Sequence, residues 1–476
     1  MDWRLPEGRQ PAYLRVINLI TNAIEAGDLL PGERLPAERV LAERLGLNRS
    51  TIQRALAELV SSGLLLRRVG SGTWVNPDRW GVATTTQWHD YLTTNRLLGP
   101  DPFTVRLAKA RQEEGVINLA DSSITNQLAL PLTPQGLSVA ALYAQEHRVE
   151  ITGDPMLKAA VVATMRPLLG EQLETSQVLI TSGAQQAFYL LAQGLLSDGD
   201  AIAVEAPSYF YQLTLFQAAG VRIYGVPLHD GQLDLQALRD VYHQHHVRFL
   251  LVNPTGQNPT GATMSLAARQ RLLATCQELH LPLVEDDQLG INVALGQVAP
   301  PPLYALDPQN VLSIGTLSPL LGAHTRIGWL IAPPSIAHRL AQIRQQMEAE
   351  LSIFPQQLAV LLLHQQDLPQ ALRHQQAQLA QRQAALAEAL APAVAAGQLA
   401  YQVPQATNHF WVTIHCRRAL QAADYQRFLQ AKVLVRPDFL FGTRHNQVRL
   451  SFAHFLPEQV APLRERLGAV LAQLCE

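Results

Sequence analysis

The chain has 476 residues, 47% of them hydrophobic and 16% charged, which is enough apolar material for more than one packed domain and excludes a disordered polypeptide. A formal net charge of −2 excludes the uniformly basic make-up of a chain that coats nucleic acid, so any such surface has to be a local patch. Three scattered cysteines, Cys276, Cys416 and Cys475, give neither a disulfide framework nor a metal-ligand spacing, which fits a reducing cytoplasm and no metal.

Residues 11–75 read as one compact block. PAYLRVINLITNAIEAG has apolar residues at helical spacing and stops at Gly27. LLPGERLP turns at Pro31-Gly32. AERVLAERLGL and NRSTIQRALAELVSSG are two further short helices, divided at Leu47-Asn48, and Gly63 ends the second. LLLRRVGSGTWVNP reads as two short strands around Val69-Gly70-Ser71-Gly72. Helix, helix–turn–helix and hairpin is the order of a winged helix, taken as residues 1–76. Residues 77–115 hold Pro77, Trp80, Gly99-Pro100 and Asp101-Pro102 between polar stretches; they are expected to be a linker with some helix, packed on a neighbour through Trp80 and Trp88.

From 116 to 476 short apolar runs (QVLITSG, DAIAVEAP, VRIYGVPL, VRFLLVNP, LPLVEDD, VLSIGTLS) alternate with helical stretches. Such alternation predicts an α/β architecture with a largely parallel sheet covered on both faces. From about 370 onward an Ala/Gln-rich helix precedes the strand-like NHFWVTIH, AKVLVRPD and NQVRLSF, which predicts a smaller α+β subdomain over 370–476. No apolar run is long enough to cross a bilayer and MDWRLPEGRQ has no signal core; a soluble, cytoplasmic protein without membrane partners is expected.

The third helix of the N-terminal block begins with Asn48, Arg49, Ser50, Thr51 and Gln53, short donors and one long fork suited to base edges in a major groove. Its other face, Ile52, Ala55, Leu56 and Leu59, is apolar and packs inward. Arg34, Arg39, Arg67 and Arg68 surround it as phosphate contacts. Asn48 also suits a helix N-cap. GERLPAERVLAERLGLNRSTIQRALAELVSSGLLLRRVGSGTWV resembles a GntR-family winged-helix DNA-binding domain, which implies a double-stranded operator as partner.

In the larger block TSGAQQAFYLL is a strand end, a glycine turn and a helix start, so the amides of Gly183, Ala184 and Gln185 would face a phosphate. LVEDD puts a carboxylate, Asp286, at the end of a strand, where parallel sheets bind ligands. Together with EAPSY, NPTGQNPTG, GTLSPLLGAHTRIGW and QVRLSF, in that order along the chain, these motifs resemble fold-type I pyridoxal-phosphate enzymes of the aminotransferase class over residues 116–476. The resemblance implies a PLP-dependent transferase-like large domain. In it Tyr209 stacks on the cofactor ring, Asn258 bonds the ring oxygen and Asp286 holds the pyridinium nitrogen. Thr316, Ser318 and Arg326 join the phosphate ligands, and Arg449 grips a substrate carboxylate. A GntR-type head ahead of such a domain is similar to the MocR-type transcription regulators. That implies a homodimer whose heads reach across, sensing pyridoxal phosphate or an amino-acid-derived effector.

Two positions depart from the pattern. Pro319 occupies the Schiff-base lysine position and has no side-chain nucleophile. The only lysines are Lys109, Lys158 and Lys432. Gln288 replaces a tyrosine often found beside the ring oxygen. Transaminase chemistry needs the lysine as anchor and as proton carrier, so no catalytic residue is assigned. The expectation is a DNA-binding regulator whose aminotransferase-like domain binds a vitamer non-covalently, without turnover. An active aminotransferase with an accessory DNA-binding head, and a purely structural dimerisation domain, are the alternatives.

Overall fold

A computed structural model describes residues 3–5, 11–68, 72–77, 101–131, 138–322, 325–348, 350–404 and 406–475. The hairpin turn expected at 69–71 and the tryptophans Trp80 and Trp88 lie outside them.

The head is α1 (Ala12–Glu25), α2 (Glu38–Leu45), α3 (Arg49–Ser61) and the hairpin β1 (Leu65–Arg68) and β2 (Gly72–Val75). Apolar residues at helical spacing on α1 (Val16, Ile20, Ile24) meet Ile52, Leu56 and Leu59 of α3 in one core. Burial of each such side chain contributes roughly 1.5–3 kcal/mol. Gly46, at φ +62°, supplies the left-handed residue that ends α2 and turns the chain toward α3. With its inner face so committed, α3 turns Arg49, Ser50, Gln53 and Arg54 to solvent.

The large domain is built on an eight-stranded sheet. Its strands are β4 (Val178–Thr181), β5 (Ala201–Ala206), β6 (Arg222–His229), β7 (Gln232–Leu233), β8 (Leu250–Val252), β9 (Leu283–Asp286), β10 (Val311–Thr316) and β11 (Gly328–Ile331), in the order β4-β11-β10-β9-β8-β5-β6-β7. Strands β10, β9, β8, β5 and β6 are parallel, whereas β11 is antiparallel to both its neighbours and β7 folds back on β6. Strands β5, β8 and β9 are buried on both faces, which is why they read as unbroken apolar runs. Register aligns Thr316, Gly328 and Thr181 in one row at the sheet's edge.

The small domain is a four-stranded antiparallel sheet of β12 (Leu399–Tyr401), β13 (His409–Ile414), β16 (Gln447–Ser451) and β15 (Arg436–Pro437). The helices Leu368–Ala395 and Val460–Cys475 pack on its core. Strand β3 (Ile117–Asn118) pairs in parallel with β14 (Val433–Leu434), so the first residues of the block fold into the last. The end of the expected linker does the same. The helix Pro102–Ala110 buries Phe103, Leu107 and Ala110 in the small-domain core, and Phe103 meets Phe439 edge to face at 5.7 Å. Anchoring thus runs through Phe103.

The head rests on this small domain. Leu30 is fully buried in the small-domain core, Lys109 Nζ donates to the Ala26 carbonyl at 2.7 Å, and Gln426 Nε2 donates to Glu33 Oε2 at 3.2 Å. Gly27, at φ +73°, lies so close that a Cβ would fall 2.6 Å from the Pro102 carbonyl oxygen.

Candidate functional site

The ends of β4, β9 and β10 open onto a cavity of about 480 Å³, closed from the other side by the small-domain residues Asn408, His409 and Arg436. This is the crevice beyond the carboxyl ends of parallel strands where such sheets bind ligands.

One end of the cavity is an anion cradle. Gly183, at φ +86°, leads into the helix Ala184–Leu195, and no side chain caps its first turn. A Cβ at Gly328 would lie 2.9 Å from the Gly183 carbonyl carbon and from the Gly315 oxygen, so glycine is what lets β11 run against this turn. Thr316 Oγ1 and Ser318 Oγ are 2.9 Å apart, and the Ser318 amide donates to Thr316 Oγ1 at 3.1 Å. Arg326 is exposed on the cavity wall with no hydrogen-bond or ion-pair partner among the described residues. Its φ of +53° costs a non-glycine residue roughly 1–2 kcal/mol, a strain typical of ligand clamps. Gly183, Ala184, Gln185, Thr316, Ser318 and Arg326 therefore converge. Helix amides, hydroxyls and a guanidinium are the donor set of a phosphate site.

The middle of the cavity holds Tyr209, Asn258 and Gln288. Asp286 lies beneath them, fully buried. Its Oδ2 accepts from the Tyr209 hydroxyl at 2.5 Å and from Gln288 Nε2 at 3.0 Å, while its Oδ1 is buried with no partner among the described residues. Burial pushes the Asp286 carboxyl up to about 7, against the bonds from Tyr209 and Gln288 that pull it down. A protonated ring nitrogen at Oδ1 would satisfy the orphaned oxygen and restore the ionised form. The doubled Asn-Pro-Thr-Gly motif is a scaffold for this floor. Asn253 Nδ2 donates to the Asp286 carbonyl at 2.8 Å, and Asn253 Oδ1 accepts from the Asn258 amide at 2.9 Å.

At the far end Arg449 is buried and does not line the cavity. It donates through Nη1 to Asn258 Oδ1 at 2.8 Å and through Nη2 to the Ala120 carbonyl at 2.9 Å. Burial, with a smaller push from neighbouring Arg436, lowers its pKa to about 9. Arg436, directly opposite on β15, does line the cavity. Sequence reasoning missed it, although an arginine inside the apolar run VLVRP was a usable signal. Asp121, also on the wall, is ion-paired with Arg111 at 3.2 Å.

Pro319 lines the cavity, and its carbonyl accepts from Gln375 Nε2 at 3.1 Å. None of the three lysines lines it. Lys158 Nζ is ion-paired with Glu150 and donates to Thr152 Oγ1 at 2.9 Å, and Lys432 Nζ donates to the Glu114 carbonyl at 2.9 Å. Lys109 is the residue that bonds the head.

On the head, Asn48 holds the N-cap position of α3 without a side-chain cap bond, and its side chain is exposed beside Arg49 and Ser50; Thr51 is half-buried. Glu38, which sequence reasoning passed over, organises this face. It accepts from Gln53 Nε2 at 3.0 Å and from Arg67, and lies 3.6 Å from Arg49 Nε. Arg34 and Arg68 lie over the Trp74 ring, at 5.7 and 5.4 Å, and Arg39 is exposed. Among the described residues there is no cluster that could hold a metal and no helix long and apolar enough to cross a membrane.

A family model described as aminotransferase class I and II matches residues 116–467, and one described as bacterial regulatory proteins, gntR family, matches residues 12–75. An uncharacterized HTH-type transcriptional regulator of Bacillus subtilis strain 168, YisV, is 29% identical, covering 86% of this chain and 85% of its own. The 2-aminoadipate transaminase of Thermus thermophilus is 28% identical, covering 78% of this chain and 94% of its own. The crystal structure of LysN, an alpha-aminoadipate aminotransferase from Thermus thermophilus complexed with N-(5'-phosphopyridoxyl)-L-leucine, matches with a TM-score of 0.64 at 26% identity, covering 77% of this chain and 98% of that one. The chain thus belongs to the aminotransferase class I and II family and carries a gntR-family helix–turn–helix head in front of that domain.

Proposed function

We propose that the protein is a MocR-type transcription regulator. Its head binds a double-stranded DNA operator, and its aminotransferase-like domain holds a pyridoxal-phosphate-type or amino-acid-derived effector without catalysis. One observation carries the second half: the cavity that Gly183, Thr316, Ser318, Arg326 and Pro319 line has no lysine on its walls, and the buried Asp286 beneath it keeps one oxygen without a partner among the described residues. The donor set fits the phosphate, and the orphaned Asp286 Oδ1 fits a ring N–H. When bound, the vitamer would supply an electron-withdrawing ring. Arg326, Thr316 and Ser318 would hold its phosphate, Tyr209 and Asn258 would orient the ring, and Asp286 would keep its nitrogen protonated. No residue present can anchor the aldehyde covalently or carry a proton between carbon atoms, so binding without turnover follows.

An absorbance titration with pyridoxal phosphate, then borohydride reduction and peptide mapping, tests this. Saturable binding with no reduced adduct is expected, and stoichiometric labelling of one lysine would refute it. A transamination assay with several amino-acid donors should stay at background; turnover would instead support an active aminotransferase with an accessory head. Such names as HTH-type transcriptional regulator among the relatives support the regulatory reading. Exposed apolar Tyr143, Met156 and Phe354 sit on three helices, of which the one carrying Phe354 packs on the other two. That is the kind of surface a second copy covers, and a homodimer in sedimentation is the expected outcome. The effector can move the heads only if it binds two arrangements of the dimer unequally. A gel shift on the DNA upstream of the protein's own gene, with and without pyridoxal phosphate, reads this directly.

A further inference from the structure

Gln375, on the helix Leu368–Ala395, lines the cavity beside Pro319 and is 2% exposed. Its Nε2 donates to the Leu128 carbonyl at 2.8 Å and to the Pro319 carbonyl at 3.1 Å. Two carbonyl acceptors use both amide hydrogens. That fixes the orientation of the amide, because the flipped group would set oxygen against oxygen. Oε1 is then the atom left over, and it accepts no hydrogen bond among the described residues. Its neighbours on the wall, Pro319 and Leu379 one turn further along the same helix, are apolar and offer no donor. A buried amide oxygen without a donor is costly, so this wall is complete only when a guest brings one. With a phosphate arm held by Ser318 and a ring nitrogen on Asp286, the ring carbon para to that nitrogen would turn its substituent away from Asp286 and toward Pro319, which directly follows Ser318.

We propose that Gln375 is a specificity-determining residue. Its Oε1 selects an effector whose substituent at that carbon donates a hydrogen bond, so the effector class is a phosphopyridoxyl amine or alcohol rather than the aldehyde, whose oxygen can only accept. The inference rests on the phosphate and the ring nitrogen being seated as described above. The position that cannot hold an aldehyde covalently is thus also backed by an acceptor that repels the aldehyde oxygen.

Titration calorimetry on the full-length protein with four phosphates decides it. These are pyridoxamine phosphate, pyridoxine phosphate, pyridoxal phosphate and 4-deoxypyridoxine phosphate, which carries a bare methyl at the same carbon. Pyridoxine phosphate should bind roughly threefold to tenfold more tightly than the deoxy compound, the range of a neutral hydrogen bond, and pyridoxamine phosphate roughly tenfold to a hundredfold, the range of one from a charged donor. In Q375M, which keeps the length of the side chain and loses the acceptor, both ratios should fall below about twofold. Equal affinity of the amine, the alcohol and the deoxy compound for the unmodified protein overturns the proposal without needing any variant to fold. Tighter binding of pyridoxal phosphate than of pyridoxamine phosphate overturns it too, as does a preference that survives in well-folded Q375M. If none of the four binds, the reading of the phosphate end falls and this proposal with it; if all four bind alike, this proposal alone falls.

Discussion

Replacing Asp286 with asparagine should raise the stability of the ligand-free protein above neutral pH and leave it much less changed in acid. The carboxyl is fully buried at the end of β9, and burial lifts its pKa from 3.8 in an unfolded chain to about 7. The folded state therefore holds the proton more tightly than the unfolded state. Its stability is full below the unfolded value, falls as pH rises between the two values and levels off above the folded one. The slope over that interval is about 1.4 kcal/mol per pH unit. From pH 5 to the folded-state value is roughly two units, so the wild type loses about 3 kcal/mol there from this group alone. Asparagine does not titrate, so the variant escapes that loss. The other raised acids nearby, Glu205 at about 8 and Asp287, remain in both proteins; the Asp286 charge helps to raise each of them, so its loss relaxes them and acts in the same direction, in the variant's favour at high pH. Urea unfolding at pH 5 and pH 8, followed through Trp329, which is buried in the same sheet, measures the difference. The gap between D286N and wild type should widen in the variant's favour by about 3 kcal/mol between those pH values. A gap constant to within about 1 kcal/mol would refute the buried-carboxyl account.

Pyridoxamine phosphate should stabilise the wild type at pH 8 and do so much less in D286N, by thermal shift, because the ring nitrogen loses its anionic partner. Ile52→Ala, at a fully buried position of α3, should cost about 2–5 kcal/mol and abolish operator binding in a gel shift while the large domain melts unchanged. Glu38→Gln frees Arg49, Gln53 and Arg67 and removes a negative charge from the DNA face. Non-specific DNA should then bind severalfold more tightly and discrimination between operator and random sequence should narrow, with anisotropy across a salt series as the readout. Gly328→Ala drives a Cβ into the Gly183 turn and should destabilise the protein by about 1–3 kcal/mol and weaken pyridoxamine phosphate binding in calorimetry.

The parts legible in the sequence were those fixed by local pattern. The order of helices in the head, the strands VLITSG and LVEDD, and the glycine turn before AQQAF depend on periodicity and on residues adjacent in the chain. What stayed hidden depends on residues brought together from afar. Arg436 and Arg449 become a pair only through the register of β15 and β16. Glu38 lies 29 positions from Arg67 and touches it only because the hairpin folds back. The placement of Asp286 behind Tyr209 and Gln288 is likewise tertiary, since EAPSY and LVEDD carry no sign that a phenol will bond the acid. The segment before residue 116 looked like a connector because its helix is short and polar-flanked. Its anchor, Phe103, is recognisable only once the Phe439 ring that receives it is in place.

The seating of Leu30 inside the small-domain core gives the molecule a lever. The recognition helix cannot tumble freely while that side chain stays put, so its aim is tied to the tilt of the small domain. The strands that carry Arg436 and Arg449 belong to that same body. A guest drawing those strands toward the cavity's opposite wall would swing the helix by the same rotation, and the arm from cavity to α3 would magnify a small closure into a larger displacement of α3.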